Sequence, residues 1–325
     1  MRSFLRSLKF MAFVLVAGIS VTSCLDSESD YEKQVKIDDK ILAQFVENNS
    51  LTTAQRHSSG FYYIALESDV ESTGAQIGTP VKKGDVVTFN YTISRLTNSM
   101  TTMQTSVPNL IESYEGAKVK ILSRTIIPEA LDYGISLMKV GDKYRFLVPS
   151  YLAFGSYRSQ HFAPNSNFII DVTVVDVDTE SNIDDAQREE IANYVAINYP
   201  QAQNYASGLY FIDSIPGSGK KPFDSDRVVI DFKRKLLDNT NIGSAENAAF
   251  FLNTASAVLG LEEGLKLMRE GGHSILIMPS SIGFKQSLCV VPDKSRAELF
   301  RDRLISTDVR PYTILKYVVN LKTVN

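Results

Sequence analysis

The sequence predicts an α+β protein of two similar domains, each a mostly antiparallel curved sheet wrapped on one short helix and preceded by an amphipathic helix. Three observations predict it. The stretches "SGFYYI", beginning at Ser59, and "SGLYFI", beginning at Ser207, nearly repeat each other at a separation too long for a solenoid or propeller. Runs of period 2 follow each of them, as expected of half-buried strands. Farther along, "ALDYGISLMKVGDKYRFLVPSYLAFGS" aligns without a gap with "GLEEGLKLMREGGHSILIMPSSIGFKQ", so Gly134, Met138, Gly141, Pro149 and Phe154 fall on Gly264, Met268, Gly271, Pro279 and Phe284. A chain of 325 residues, 44% of them hydrophobic, has room for about two domains of roughly 150 residues with real cores.

The elements follow in order. Arg2, Arg6 and Lys9 precede the apolar segment "FMAFVLVAGISV", which has the length of a signal-peptide core and is too short to span a bilayer. It ends in "VTSC", which resembles the lipobox of bacterial lipoproteins, whose cysteine is acylated and becomes the first mature residue. Residues 1–23 are therefore expected to be a signal peptide, and Cys24 the lipidation site. "LDSESDYEK" then reads as part of an acidic tether over residues 24–36, similar to segments that follow the lipidated cysteine in lipoproteins of the Bacteroidetes. The expected location is the cell envelope: an outer-membrane lipoprotein facing the periplasm or the surface.

The first domain, residues 37–178, opens on a helix carrying Ile41, Leu42, Phe45 and Val46; the second, residues 179–325, opens on one carrying Ile191, Tyr194, Val195 and Ile197. The polar stretch "DTESNIDDAQ" between them reads as a break separating two independently folding pieces. "VVTFNYTI" and "VVIDFKRK" alternate as strands, and so do the closing segments "NFIIDVTVVDV" and "TILKYVVNLKTV". Leu131, Ile135 and Met138, like Leu261, Leu265 and Met268, form one helical stripe with a glycine inside it, which lets each helix approach its own sheet closely.

Several functions are set aside on composition and spacing. A net charge of -3 without a clustered basic face excludes a nucleic-acid footprint. The three histidines, His57, His161 and His273, lack neighbouring metal-type ligands and read as incidental surface or loop residues, so no metal or other cofactor is expected. Of the two cysteines, Cys289 lies in the apolar run "SLCVV" and reads as a small buried hydrophobe.

The motifs resemble the FKBP peptidyl-prolyl cis-trans isomerases. In the first copy the resemblance rests on Val81, Gly84, Asp85, Tyr91, Thr92 and Leu96, then Ile127, Gly134, Met138 and Gly141, then Pro149, Leu152, Ala153, Phe154 and Gly155. It closes on Phe162, Pro164, Asn165, Ser166, Phe168, Asp171 and Val172. The second copy matches more loosely, through Phe232, Leu236, Gly260, Leu261, Glu263, Gly264, Leu265, Met268, Gly271, Pro279, Phe284, Val309, Pro311 and Tyr317.

The resemblance implies a small apolar cup between helix and sheet that accepts a proline ring. In domain 1 that cup would be lined by Tyr91, Met103, Ile127, Leu131, Phe154, Phe162 and Ile170, and in domain 2 by Phe232, Ile242, Leu261, Phe284, Val309 and Tyr317. Implied partners are unfolded or Pro-containing segments of exported proteins, with the membrane reached through the lipid anchor.

Departures from the family are also visible. With no tryptophan in the chain, Leu131 and Leu261 replace the indole that floors the family's pocket. Phe154 and Phe284 replace a tyrosine whose hydroxyl donates toward bound peptide, and Met103-Gln104 and Ile242-Gly243 replace a Phe-Asp pair. Two readings stay open: a weak isomerase and folding helper with any turnover in domain 1, or a non-catalytic peptide-binding scaffold.

One segment belongs to the second copy alone. "KQSLCVVPDKSRAELFRDRLISTD", residues 285–308, contains an amphipathic helix with Ala297, Leu299, Phe300 and Leu304 on one side and Asp293 or Ser295 as its cap. It reads most simply as a decoration packed on its own domain, with a lid over that domain's cup or a partner-binding element as alternatives.

Overall fold

The computed structural model describes residues 28–67, 77–96 and 109–325. Cys24 and Met103 fall outside these residues. Domain 1 consists of α1 (Asp30–Asn48), β1 (Gln55–Arg56), β2 (Tyr62–Leu66), β3 (Val86–Leu96), β4 (Leu110–Lys120), β5 (Ile126–Ile127), α2 (Ala130–Ile135), β6 (Lys143–Val148) and β7 (Asn167–Asp178). Domain 2 repeats the plan with α3 (Glu180–Asn198), β8 (Gln203–Asn204), β9 (Tyr210–Ile215), β10 (Arg227–Lys235), β11 (Asn241–Phe251), α4 (Leu259–Leu267), β12 (His273–Met278), β13 (Cys289–Val290), α5 (Arg296–Arg301) and β14 (Leu315–Val324). The six-stranded sheets have the orders β1-β2-β6-β7-β3-β4 and β8-β9-β12-β14-β10-β11, all pairs antiparallel.

The repeated "SG(F/L)Y" closes a hairpin in each sheet. Gly60 and Gly208 hold φ of +116° and +94°, a conformation that L side chains rarely adopt, and the turns are locked by His57 N–H to Phe61 O (2.8 Å) and Tyr205 N–H to Leu209 O (2.9 Å). The alternating residues of β3 and β7, Val87, Phe89, Tyr91 and Ile93 with Phe168, Ile170, Val172 and Val174, point into one core shared with Leu131, Ile135 and Met138. A Cβ on Gly134 would lie 2.6 Å from Cε1 of the fully buried Phe146. Only glycine lets α2 sit this close to β6.

The opposite face of each sheet is covered by the preceding helix. Leu42 of α1 packs with Leu96, Leu147, Tyr62 and Ile169, and Ile191 and Val195 of α3 pack with Ile212 and Ile277. Ile197, expected in the second stripe, instead faces solvent. Each helix is pinned by a buried polar residue. Asp38 accepts from the Ser150 backbone N–H (3.0 Å) and hydroxyl (2.6 Å), and Gln187 accepts from the Ser280 N–H (2.8 Å).

Three sequence expectations are corrected. The acidic tether does not run to residue 36, because α1 starts at Asp30 behind a reciprocal capping box in which Ser29 and Glu32 bond each other's backbone N–H. Acidic residues near a helix N-terminus satisfy free donors and suit the helix dipole, so here they start a helix. "DTESNIDDAQ" is no break either. Thr179 caps α3 directly after β7, and Ile183 is buried with Val86 of domain 1 and Tyr312 of domain 2.

The third correction concerns residues 285–308, which pack on domain 1 and not on their own domain. β13 pairs in parallel with β5, and Cys289 and Val291 are members of the domain 1 core. The two copies are therefore not separately enclosed. In α5 the buried residues are Arg296, Glu298 and Leu299, while Ala297 and Phe300, and Leu304 beyond its end, are exposed. Neither Asp293 nor Ser295 caps this helix with its side chain. Ser295 occupies the N-cap place without such a bond.

Asp293 clamps the joint. Its carboxylate receives Arg296 Nε at 2.9 Å and Arg310 Nη2 at 2.6 Å, and the Arg310 guanidinium carbon lies 5.2 Å from the centroid of the Tyr114 ring of domain 1. Burial pushes this carboxyl up, but the bonds from Arg310 and Arg296 outweigh it and hold it below its ordinary 3.8.

Two outcomes follow. Gly134→Ala should lower unfolding stability by about 1–3 kcal/mol in a denaturant titration, because the added methyl overpacks a fully buried ring. Asp293→Asn should cost about 1–3 kcal/mol at neutral pH. Because the folded pKa of Asp293 is depressed, its contribution is complete above pH 3.8 and is lost as pH falls below that value, so wild type and variant should converge there in acid unfolding curves.

Candidate functional site

The concave side of the domain 1 sheet and the helix α2 form a cup. β3 delivers Tyr91, β7 delivers Phe168 and Ile170, α2 supplies Leu131, and Phe154 and Phe162 come from the segment between β6 and β7. Three rings make one wall: Phe154 and Phe162 have centroids 4.6 Å apart, and Phe168 meets Phe162 edge-on at 5.2 Å. Tyr91 supplies a polar grip. Its hydroxyl donates to Glu112 Oε2 at 2.9 Å, which leaves the oxygen free to accept. Burial, with the Glu112 charge next, raises its pKa far above the ordinary tyrosine range, so it keeps its proton.

This cup is filled by the chain itself. Cys289 donates its N–H to Thr125 O at 2.7 Å and Val291 donates to Ile127 O at 2.8 Å, extending β5 by a parallel strand. Cys289 and Val291 turn into the core of domain 1, whereas Val290 turns the other way, onto Leu299, Ile305, Phe154 and Tyr157. Pro292 is buried, and the next residue, Asp293, donates its N–H to the Tyr91 oxygen at 3.0 Å. α5 then covers the mouth, where Glu298 accepts from the Ser159 hydroxyl at 2.8 Å and the Gln160 N–H at 3.2 Å. Beside the cup a cavity of about 200 Å³ lies at the joint, lined by Tyr91, Tyr114, Cys289, Asp293 and Arg310 among others.

The expected residues of copy one thus converge, with two qualifications. Met103 lies outside the described residues, and Ile127 contributes its carbonyl while the neighbouring Ile126 enters the core. Cys289 is buried as expected, and burial pushes its thiol up to about 12, which keeps it protonated and inert. His161 is not incidental, since its Nε2 stands 3.6 Å from Glu298 across the joint. Among the described residues there is no group of three or more His, Cys, Asp or Glu that could hold a metal ion.

Copy two also gathers its candidates. Leu261, Val309 and Tyr317 are buried in one core, with Phe232, Ile242 and Phe284 packed against it. Its polarity differs. The sheet register puts Arg234 opposite Tyr317, where domain 1 has Ile93 opposite Ile170. The guanidinium carbon lies 5.1 Å from the centroid of the Phe284 ring, and Nη2 donates to Asp308 at 2.7 Å. A cation sits where an apolar cup would need a hydrocarbon.

Sequence reasoning missed Glu112 and Arg234, and it assigned the occupying segment to its own domain. The last left a visible signal. "CVVPD" places two β-branched residues before a proline inside the insertion, which is the chemistry expected of a ligand for the cup.

Comparison with known proteins agrees with the duplicated plan. The sequence profile described as FKBP-type peptidyl-prolyl cis-trans isomerase matches residues 78–175 and again 218–321. A curated relative, the probable FKBP-type peptidyl-prolyl cis-trans isomerase FkpA of Neisseria meningitidis, is 29% identical over 83 residues, which is 25% of this chain and 30% of that protein. Among solved structures, FkpA from Escherichia coli aligns over 45% of this chain and 61% of its own at 22% identity and a TM-score of 0.35. A peptidyl-prolyl isomerase of Pseudomonas syringae aligns over 45% and 95% at 20% identity and a TM-score of 0.35. The three FKBP domains of wheat FKBP73 align over 82% and 96% at 15% identity and a TM-score of 0.30. With both copies matched over more than half of the sequence, the chain belongs to the FKBP-type peptidyl-prolyl cis-trans isomerase family, as a tandem pair of diverged domains.

Proposed function

We propose that this protein is a lipid-anchored FKBP-type peptidyl-prolyl isomerase and folding helper of the cell envelope, weak in activity, with turnover in domain 1. The observation that carries this reading is the polypeptide in the domain 1 cup: the β5 backbone holds Cys289 and Val291, which are buried in the same core as Leu131, Phe162 and Ile170, and the Tyr91 hydroxyl holds the Asp293 N–H after Pro292. Such a cup suits unfolded or Pro-containing segments of exported proteins.

The chemistry needs no acid, base or metal. Rotation about an X-Pro bond meets a barrier of about 18–20 kcal/mol because amide resonance is lost. A dry cup that binds the twisted amide better than either planar form lowers it, since only differential binding accelerates a step. Leu131 provides an apolar floor, while Phe154 lacks the hydroxyl that would orient the peptide. Arg234 argues against an equal role for domain 2. The second reading, a non-catalytic scaffold, is favoured by the same occupancy, which leaves domain 1 with no empty cup.

Cis-trans exchange of a peptide with a bulky apolar residue before proline, measured with the whole mature chain, separates the two. Acceleration that Tyr91→Ala and Phe154→Ala abolish supports catalysis, and Phe154→Tyr should then raise the rate about fivefold, the equivalent of ~1 kcal/mol for one donor. No acceleration at a peptide concentration that shows binding would leave the scaffold. Anchoring is tested separately: labelled palmitate should enter the wild-type chain and not Cys24→Ala, and equal labelling would remove the lipoprotein reading.

A further inference from the structure

Domain 1 treats the segment Leu288–Asp293 as a ligand. Its backbone is read through N–H groups two residues apart, Cys289 to Thr125 O and Val291 to Ile127 O, which is how an extended peptide adds to an exposed strand. Its side chains are sorted by alternation: Cys289 and Val291 enter the domain 1 core, and Val290 packs from the other side on Phe154, Tyr157, Leu299 and Ile305. Beyond the proline, the Tyr91 oxygen accepts the Asp293 N–H while its hydroxyl donates to Glu112. The interior contacts are thus those of a bound peptide.

The contacts around it are mixed. Tyr157 to Asp302 and Lys294 N–H to Glu112 are exposed bonds, and Arg310 has a side chain 52% exposed, whereas Ser159 to Glu298 is buried and Arg296 to Asp293 part-buried. Exposed polar pairs contribute little and are screened by salt. The segment is joined to domain 2 on both sides, through Lys285 and through the chain after α5, and β13 belongs to neither six-stranded sheet.

We propose that residues 288–293 are an intramolecular pseudosubstrate: the domain 1 cup binds extended client segments with a β-branched aliphatic residue immediately before proline, and does so only by displacing this segment. The inference rests on the reading of the cup as a peptide site. A tethered occupant acts at an effective concentration on the order of mM, so a dilute client of equal intrinsic affinity gains little access. A crowded apolar chain held at the same membrane would compete far better.

The occupant carries its own reporter. In a Cys24→Ser chain, Cys289 is the sole thiol, and it is buried while the segment is seated. A peptide of residues 286–294 with Cys289→Ser, added at about mM concentration to match the tether, should raise the rate of Cys289 labelling by an aromatic disulfide about tenfold and saturably. The same peptide with Val291→Ala and Pro292→Ala should change it less than about twofold, since the apolar fill of the cup is gone. No acceleration by either peptide overturns displacement; equal acceleration by both overturns the Val-Pro preference.

Asp293→Ala, which removes the carboxylate that holds Arg296 and Arg310, adds a second measurement. It should raise basal labelling and lower the peptide concentration needed for half of the effect. Isomerase turnover in the same variant separates this inference from the functional reading. Labelling that responds to peptide without any turnover keeps the pseudosubstrate and removes catalysis. Turnover that is equal in wild type and in a variant shown to label faster keeps catalysis and overturns the pseudosubstrate.

Discussion

Everything distinctive about this molecule depends on a two-residue parallel ladder, β13 on β5, which carries Cys289 and Val291 into the core of the other domain. Net contributions of about 1 kcal/mol per backbone hydrogen bond are smaller than the roughly 2 kcal/mol gained by burying a valine. The hydrocarbon therefore sets the strength of the joint, and the ladder sets its register. That register decides which side chain enters the cup, since a slip of one residue would send Val290 inward and Val291 out.

The two domains have diverged in opposite directions around one topology. Domain 1 keeps an apolar cup and lends it to a neighbour. Domain 2 keeps the sheet order but buries a guanidinium at the place of Ile93 and contributes the segment that fills the first cup. Their preceding helices show the same freedom on a smaller scale. Asp38 and Gln187 solve the same problem, a free N–H at the start of a short turn, with different chemistry and no motif in common.

The strands and core helices were legible because period and glycine placement have local causes. Val87, Phe89, Tyr91 and Ile93 must share a face of any strand they form, and Gly134 and Gly264 stand where a methyl would strike Phe146 and Leu276. The destination of residues 285–308 was not legible. An apolar run such as "SLCVV" states that it is buried, not in which core, and the second copy offered a cup nearer in sequence. The short α5 misled for a related reason: at a joint between domains Arg296 and Glu298 find partners and are buried, while Phe300 and Leu304 are left outside. Glu112 lies on a strand whose inward and outward positions emerge only from pairing with neighbours, whereas Arg234 continues the inward alternation of Val228, Ile230 and Phe232 and was overlooked because it is charged. The acidic stretch before Lys33 was misread because composition alone does not distinguish a solvated tether from a capped helix start.

The length of chain between Ile126 and Cys289 bears on how the molecule comes into being. A polypeptide that emerges from a ribosome or a translocation channel, N-terminus first, completes the β1–β7 sheet while the residues that fill its concave side are still unmade or unthreaded. During that interval Leu131, Phe162 and Ile170 are without two of their core partners, and contacts of such long sequence separation slow folding. Until the second copy is made, the core of the first lacks the Cys289 and Val291 side chains that complete it.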